Sequence, residues 1–284
     1  MSHERGEITS DEVTTFIGYI YSVTGISLGS NKAYLIEGRL LDLLSTYHCN
    51  SYGELFSLAR SGRNIALEKE IIDRVATHET LFFRDMEPFK LLQYKILPDL
   101  IDARTQMNPS EPIPIKIWSA ACSTGQEIYS IAIVIKELLP DIAKYNVKLL
   151  ATDISDAAIA KASHGTFNRF EVERGLSQEK LNTYFLFRNG QWRIRDDIRG
   201  MIQFGKRNLM SPLNDLDKFD IIFCRNVAIY FSREDRRKFY EKLANQLNPD
   251  GYLIIGSTES MVGLGAPFVP KQHLQTTYYQ MRQQ

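Results

Sequence analysis

The sequence predicts an α/β protein in which a doubly wound, mostly parallel sheet follows an N-terminal helical domain and carries a small antiparallel β insertion. Three observations predict this fold class. Short apolar segments alternate with helical segments from residue 115 onward, as in sheets that are buried on both faces. The first eighty or so residues show only helical spacing of apolar side chains. Asn189-Gly190 separates two alternating segments, which is the strongest short-range signal for a hairpin.

Four amphipathic helices are predicted in the N-terminal domain, which we place at residues 1–85, and they make a small bundle. The first begins at a capping box of Thr9 and Glu12 and ends at Gly25. The others are a helix from about Asn31 to Tyr47, a helix that begins at a capping box of Ser51 and Glu54, and Ile65–Val75.

The second domain, residues 86–284, begins with a helix from about Met86 to Ala103 and a proline-rich link, Asn108–Pro114, that fits neither helix nor central strand. An insertion at residues 166–204 contains a helix, Gln178–Tyr184, and the hairpin. The remaining elements are the strands Ile115–Ser119, Val147–Thr152, Phe219–Cys224 and Gly251–Ser257 and the helices Ile128–Leu139, Ser155–Ser163 and Arg233–Leu247.

The charge balance argues against binding to nucleic acid or to a membrane surface, because 34 Lys and Arg residues are matched by 34 Asp and Glu residues. The N-terminus has no apolar run and no apolar segment is long enough to cross a bilayer. Cys49, Cys122 and Cys224 are isolated, and no spacing to the histidines indicates a metal site. We therefore expect a cytoplasmic protein with reduced thiols, no metal and no membrane insertion.

Residues at the carboxyl ends of the strands mark the candidate ligand site, since open α/β sheets bind ligands there. Ser119–Glu127 is rich in small side chains that let a ligand approach the backbone, although it is neither GxGxxG nor a P-loop. Asp153 follows the second strand, where an acidic residue typically binds the ribose hydroxyls; its alternative role is to cap the next helix. Together they favour an adenosine-type ligand, without separating NAD from S-adenosylmethionine.

Arg225 and Asn226 directly follow the apolar strand Phe219–Cys224. Polar residues at this point of the sheet lie where the reactive end of a cofactor is expected. Tyr230 lies a few residues further on, and its alternative role is that of a core aromatic beside Ile229.

The segment Thr77–Asp85 joins the two predicted domains and surrounds an apolar pair with polar and charged residues. His78 alone is more often a structural histidine than a catalyst. Arg84 has the alternative of pairing with Asp85 or Glu87, which is worth little at a surface.

Four segments together resemble the chemotaxis receptor methyltransferase family, CheR: Thr77–Asp85, Trp118–Glu127, Ala151–Ile154 and Phe223–Phe231. The resemblance covers nearly the whole chain. It implies the fold of class I S-adenosylmethionine methyltransferases. It also implies transfer of a methyl group from S-adenosyl-L-methionine, with S-adenosyl-L-homocysteine as product, to glutamate side chains in the cytoplasmic domain of bacterial chemoreceptors.

The resemblance also implies the site residues. Arg84 and Tyr230 would face the transferred methyl as catalytic residues, and His78 stands where members of the family often have Asn. The cofactor-binding set is His78, Thr80 and Arg84 from the first segment, Glu127 at the amino-acid end, Asp153 at the ribose, Asn208 and Leu209 beside the adenine, and Arg225 and Asn226 completing the pocket.

The antiparallel insertion suggests a second contact with the receptor. Its hairpin offers an outer strand edge, which we place at Gln191–Arg195, and such an edge accepts an extended peptide as an added strand. The family implies that a C-terminal tail peptide of the receptor binds in this way. The alternative is an element that only stabilises the sheet.

The chemistry needs no general base, because a glutamate side chain, with a reference pKa of about 4.3, is already ionised at neutral pH. We expect Arg84 to position the substrate carboxylate and Tyr230 to shape the corner where the methyl is transferred. Two alternatives stay open: a methyltransferase of the same fold that acts on another protein or a small molecule, and a non-catalytic cofactor-binding scaffold. An NAD dehydrogenase is disfavoured, because the dinucleotide glycine pattern is missing.

Overall fold

The computed structural model describes residues 8–29, 33–107 and 112–282, and it confirms the predicted fold class. The N-terminal helices are α1 (Ser10–Thr24), α2 (Ala33–Thr46), α3 (Tyr52–Arg60) and α4 (Ile65–Val75). They share a core that includes the fully buried Phe16 and Leu40. Gly25 ends α1 in the left-handed conformation, at φ 77°, as predicted. The predicted start of the second helix at Asn31 lies outside the described residues.

Of the two predicted capping boxes, one is complete. The Thr9 side chain accepts the Glu12 N–H, and the Glu12 carboxylate accepts the Thr9 N–H. Ser51 caps α3, but the Glu54 carboxylate accepts the N–H of Asn50, two residues before the helix. The second box is therefore half formed.

The helix predicted from Met86 to Ala103 is continuous but has a wider turn in its middle. It consists of α5 (Glu87–Leu91), a π-helical turn at Leu92–Ile96 and α6 (Leu97–Met107). Pro98 explains the wider turn, because proline lacks an N–H and its ring clashes with the carbonyl four residues earlier. The Leu97 N–H accordingly bonds to the carbonyl of Leu92, five residues back.

The described residues contain ten strands, which form a seven-stranded and a three-stranded sheet. In chain order they are β1 (Ile113–Ala120), β2 (Tyr145–Asp153), β3 (Thr166–Phe167), β4 (Phe185–Arg188), β5 (Gln191–Ile194), β6 (Ile202–Lys206), β7 (Phe219–Cys224), β8 (Leu247–Ile255), β9 (Phe268–His273) and β10 (Thr276–Met281). The large sheet has the order β6-β2-β1-β7-β8-β10-β9. Its pairs are parallel from β6 to β8, and β10 is antiparallel to both of its neighbours.

Four strands, β3, β6, β9 and β10, were not predicted from the sequence. The two outermost strands, β6 and β9, contain Gly205 and Pro270, which weaken a strand signal and are tolerated at a sheet edge. The proline-rich link is also shorter than predicted, because β1 already begins at Ile113 and takes Pro114 into its first residues. Residues 108–111 of that link lie outside the described part of the chain.

Helices flank the large sheet, and its strands bury side chains on both faces. Ile117 and Ile221 pack into the core on one face, and Trp118 and Ile222 into the core on the other. No helix within the described residues is long and apolar enough to cross a membrane. The remaining helices are α7 (Gln126–Leu138), α8 (Asp156–His164), α9 (Arg169–Glu173), α10 (Gln178–Tyr184), α11 (Asp196–Arg199) and α12 (Arg233–Asn245).

The small sheet corrects one prediction about the insertion. Its order is β3-β5-β4, so β5 is the central strand and the predicted outer edge at Gln191–Arg195 is wrong. The hairpin turn itself is confirmed, with φ of 51° at Asn189 and 78° at Gly190. Because β6 pairs with β2 in the large sheet from Ile202, we propose that the insertion, expected to end at residue 204, ends before Ile202.

A buried carboxylate joins α6 to the centre of the large sheet. The side chain of Asp220 is 1% exposed and forms a bidentate ion pair with the guanidinium of Arg104. It also accepts the Lys116 N–H at 2.7 Å and the Asn248 side-chain amide at 2.6 Å. All of its bonding capacity is therefore met within the protein.

Candidate active site

A pocket of about 270 Å³ lies at the carboxyl ends of β1, β2 and β7. The place is the one that the sheet topology predicts for a ligand. Thr24 and Ile26, at the end of α1, also line it, and the sequence analysis missed both. The structure brings every predicted site residue to this pocket: His78, Thr80, Arg84, Glu127, Asp153, Asn208, Leu209, Arg225, Asn226 and Tyr230.

The Asp153 carboxylate anchors the turn after β1. It accepts the Ser123 N–H at 2.9 Å and the Ser155 N–H at 3.0 Å. Ser155, not Asp153, caps α8 by accepting the Ala158 N–H, so the capping alternative for Asp153 is wrong. Burial raises the pKa of Asp153, although the N–H bonds and the nearby His78 oppose that effect. A carboxylate held in this way keeps lone pairs for ligand hydroxyls.

Arg225 lines the pocket and connects two carboxylates. Its side chain is 2% exposed and donates to Asp85 at 2.8 Å and to Glu127 at 3.2 Å. It also donates to the carbonyl of Arg84 at 2.9 Å, and Ser119 donates to Glu127 at 2.8 Å. Burial raises the pKa of Glu127, while Arg225 and Ser119 oppose the rise. The pocket therefore presents a desolvated carboxylate that a cationic ligand would stabilise.

Arg84 lies in the segment that enters the pocket from the helical part. Its guanidinium donates to the carbonyl of Glu79 at 3.1 Å, while Asp85, the surface partner considered above, pairs with Arg225. Phe82 and Phe83 already pack in the core of the large sheet. We therefore propose that the domain boundary, expected at residues 85 and 86, lies before Phe82.

His78 has protein partners for both its ring and its carbonyl. Its Nε2 lies 3.3 Å from the carbonyl of Asp73, and its own carbonyl accepts the Ser123 hydroxyl at 3.3 Å. The structural alternative for His78 is therefore supported, while the residue also lines the pocket. Tyr230 similarly has two surroundings, since it packs against the core beside β7 and lines the pocket.

The end of α1 is held against the pocket by backbone and amide hydrogen bonds. The Asn208 amide donates to the carbonyl of Val23 and its oxygen accepts the Met210 N–H, both at 2.9 Å. The Ser27 N–H donates to the carbonyl of Tyr230 at 2.8 Å. Each polar group of the Asn208 side chain thus has one protein partner, which leaves a second N–H and a second lone pair of the amide for another contact.

Several residues of the pocket segments have left-handed backbone conformations that only glycine adopts freely. They are Phe83, Asp85, Ala121, Ser123 and Asn226, with φ between 50° and 64°. Such conformations cost on the order of 1–3 kcal/mol each and persist where surrounding contacts hold them. Their concentration in three pocket segments is typical of a functional site.

Glu259 is a further residue that the sequence analysis missed. Its carboxylate accepts the N–H groups of Asn226, Val227 and Gly256 at 2.8, 3.1 and 2.7 Å. The rule that pointed to Asp153 also applies here, because Glu259 comes just after the carboxyl end of β8. The predicted strand Gly251–Ser257 was therefore the signal that could have found it.

Comparisons with known proteins agree with the geometry. Residues 78–277 match the family described as "CheR methyltransferase, SAM binding domain", and residues 11–74 match "CheR methyltransferase, all-alpha domain". The chemotaxis protein methyltransferase of Vibrio parahaemolyticus is 39% identical over 269 residues, which cover 92% of this chain and 93% of the relative. Chemotaxis protein methyltransferase 1 of Pseudomonas aeruginosa is 38% identical, with 87% and 89% covered. The chemotaxis protein methyltransferase of Borreliella burgdorferi is 36% identical, with 90% of each chain covered.

Proposed function

This chain belongs to the CheR methyltransferase family, and from this premise we propose that its substrate is the side chain of a glutamate in the cytoplasmic domain of a chemoreceptor. It is an S-adenosylmethionine-dependent methyltransferase of chemotaxis. The product of the proposed reaction is a glutamyl methyl ester. The observation that carries the proposal is the single pocket that gathers all of the family's matched site residues. The cytoplasm is the compartment that this substrate requires.

The residues of the pocket fit S-adenosylmethionine in charge and in hydrogen bonding. Burial raises the pKa values of two pocket carboxylates, Asp153 and Glu127, although backbone N–H groups oppose the rise at Asp153 and Arg225 and Ser119 oppose it at Glu127. Ribose hydroxyls at Asp153 and an ammonium at Glu127 would further offset that burial. Leu209 offers a buried apolar surface beside the adenine position, and Thr80 completes the wall that the interdomain segment forms.

When bound, the cofactor supplies a methyl group on a positively charged sulfur. Arg84 holds the substrate carboxylate in place by a charge-assisted hydrogen bond. With the cofactor bound, one carboxylate oxygen would take the methyl group and the sulfur would keep the electron pair of the broken carbon–sulfur bond, so no residue of the pocket has to move a proton. Tyr230 restricts the approach of the carboxylate, and such alignment is worth roughly 7–11 kcal/mol in well-oriented reactions. The binding by Arg84 must stay moderate, because a strong ground-state contact weakens the nucleophile.

The test is transfer of radiolabelled methyl groups from S-adenosylmethionine to purified receptor cytoplasmic fragments and to host membranes. We expect label on the receptor that is lost in base, as an ester requires. The matched control is a receptor fragment in which the labelled glutamates are replaced by glutamine. Label on another protein or on a small molecule would contradict the proposed substrate. Cofactor binding without any transfer would indicate a non-catalytic scaffold.

We also propose that a receptor tail peptide adds to the small sheet at β4, the outer strand of its hairpin. In a hairpin with a two-residue turn, Arg188 and Gln191 form a hydrogen-bonded pair. The N–H of Phe187 therefore points away from β5 and is available to an added strand. Phe187 itself is 59% exposed, and the centre of its ring lies 5.0 Å from that of Trp192. The two rings give a peptide an apolar contact beside the edge.

Two substitutions at one position separate the edge from the ring. Phe187→Pro removes the outward N–H, and Phe187→Ala keeps it while removing the ring. We expect Phe187→Pro to weaken methylation of intact receptors and to leave S-adenosylmethionine binding unchanged, because the pocket lies elsewhere. Normal receptor methylation by a folded Phe187→Pro variant would leave the insertion with only a structural role.

A further inference from the structure

Glu259 connects the carboxyl ends of β7 and β8 outside the pocket lining. Its carboxylate accepts N–H groups from Asn226 and Val227 after β7 and from Gly256 after β8. A Cβ on Gly256 would lie 2.8 Å from the Glu259 carboxylate and 2.9 Å from the Asn226 amide, so only glycine lets these groups approach. The arrangement is thus tightly packed around one carboxylate.

The backbone that Glu259 holds includes a left-handed residue. Asn226 has a φ of 59°, a left-handed conformation that needs support from its surroundings. Arg225 is anchored through its side chain by Glu127 and Asp85, and Tyr230 through its carbonyl by the Ser27 N–H. Between Arg225 and Tyr230, the N–H groups of Asn226 and Val227 bond to Glu259 and fix the path of the backbone there.

We propose that Glu259 is a positioning residue that fixes the Asn226–Val227 peptide and thereby the place of Tyr230 at the methyl-transfer corner. The inference rests on the proposed function, because it assigns Glu259 to the same pocket. Glu259 does not line that pocket, so it acts through the loop and not on the ligand. At the end of β7, burial raises the pKa of the Cys224 thiol, and the charge of Glu259 adds to that rise.

Glu259→Ala removes the acceptor from three N–H groups, whereas Glu259→Gln keeps an oxygen for some of them. We expect kcat for receptor methylation to fall on the order of 10²-fold in Glu259→Ala, as for a small misplacement of reacting groups, and less in Glu259→Gln. The affinity for S-adenosylhomocysteine, measured by calorimetry, is expected to fall about three- to tenfold in Glu259→Ala, since Asn226 shifts while Glu127 and Asp153 stay. The matched control, Glu234→Gln, removes an exposed carboxylate that pairs with Lys238 on α12 and should change neither value.

Melting temperatures of the same variants separate positioning from stability. A folded Glu259→Ala variant with wild-type kcat and wild-type affinity would overturn the proposal, whether or not its melting temperature is lowered. If Glu259→Ala does not fold, Glu259→Gln decides: reduced kcat at a wild-type melting temperature supports positioning, and wild-type kcat overturns it. The calorimetric affinity needs no receptor. Failure of the wild type to methylate receptors would therefore count against the proposed substrate, and the affinity of the variants would still test Glu259.

Discussion

Asp153 gives the sharpest test of the proposed cofactor site, because its carboxylate has both a structural and a proposed ligand-binding role. Replacing it removes charge-assisted bonds to the ribose hydroxyls, which are worth about 1.5–3 kcal/mol. We expect the affinity for S-adenosylmethionine to fall on the order of 10-fold in Asp153→Asn, which keeps one acceptor oxygen, and up to about 150-fold in Asp153→Ala.

The structure also sets the effect of these changes on stability. In Asp153→Asn, the new amide group faces either the Ser123 or the Ser155 N–H, and an unpaired buried donor costs about 1–3 kcal/mol. Burial raises the pKa of Asp153, so the folded protein without ligand is destabilised by its charge at neutral pH. Asparagine removes that charge, and the two effects oppose each other. We therefore expect a small change in melting temperature and a large change in affinity.

The assay is calorimetric titration with S-adenosylmethionine beside a thermal melt of each variant. Asp156→Asn is the matched control, because Asp156 lies three residues away and bonds at the surface to Lys206 and Lys69. It should bind the cofactor normally. Unchanged affinity in folded Asp153→Asn and Asp153→Ala would refute the assignment of the ribose to this carboxylate.

Three further predictions concern catalysis, pH and stability. Tyr230→Phe is expected to lower kcat more than cofactor affinity. Arg84→Ala is expected to lower both, because only Arg84 is placed at cofactor and substrate together. Normal methylation rates in both variants would show that these residues are structural. Cofactor affinity, measured by calorimetry at a series of pH values, is expected to fall as the pH decreases, because only ionised Glu127 attracts an ammonium. Since burial raises the pKa of Glu127, the fall should begin above the pH range in which an ordinary carboxyl group titrates. Glu127→Gln should remove that part of the pH dependence, and an unchanged profile would contradict the role. Arg104→Met leaves Asp220 buried without its cation and is expected to cost about 3–5 kcal/mol in urea unfolding, whereas an unchanged midpoint would show that the ion pair contributes nothing.

The sequence was sufficient for the parts of the fold and site that depend on local pattern. Apolar continuity located the central strands, and the rule that ligands lie beyond their carboxyl ends led to Asp153 and Arg225, whereas the role of Glu127 came from the family resemblance. Asp153 and Arg225 each directly follow a predicted strand, so a correct strand assignment is enough to find them.

What the sequence did not predict depends on tertiary contacts. The order of the small sheet is set by β3, which has two residues and no detectable pattern, and so the central strand β5 was taken for an edge. Thr24 and Ile26 enter the pocket because Asn208 and Tyr230, distant in sequence, bind the end of α1. Glu259 follows the predicted strand Gly251–Ser257, but its bonds to the N–H groups of Asn226 and Val227 depend on how β7 and β8 lie side by side.

The wall that α1 contributes to the pocket has a thermodynamic consequence. Thr24 and Ile26 border a ligand only while the helical part is docked, so a ligand that contacts them binds the docked arrangement more tightly than an undocked one. By linkage, the cofactor then strengthens the docking by the same factor by which docking strengthens cofactor binding. The α-helices before residue 76 and the α/β part should therefore unfold as one cooperative unit when the cofactor is bound, and a chain shortened to the α/β part would lose affinity together with that wall.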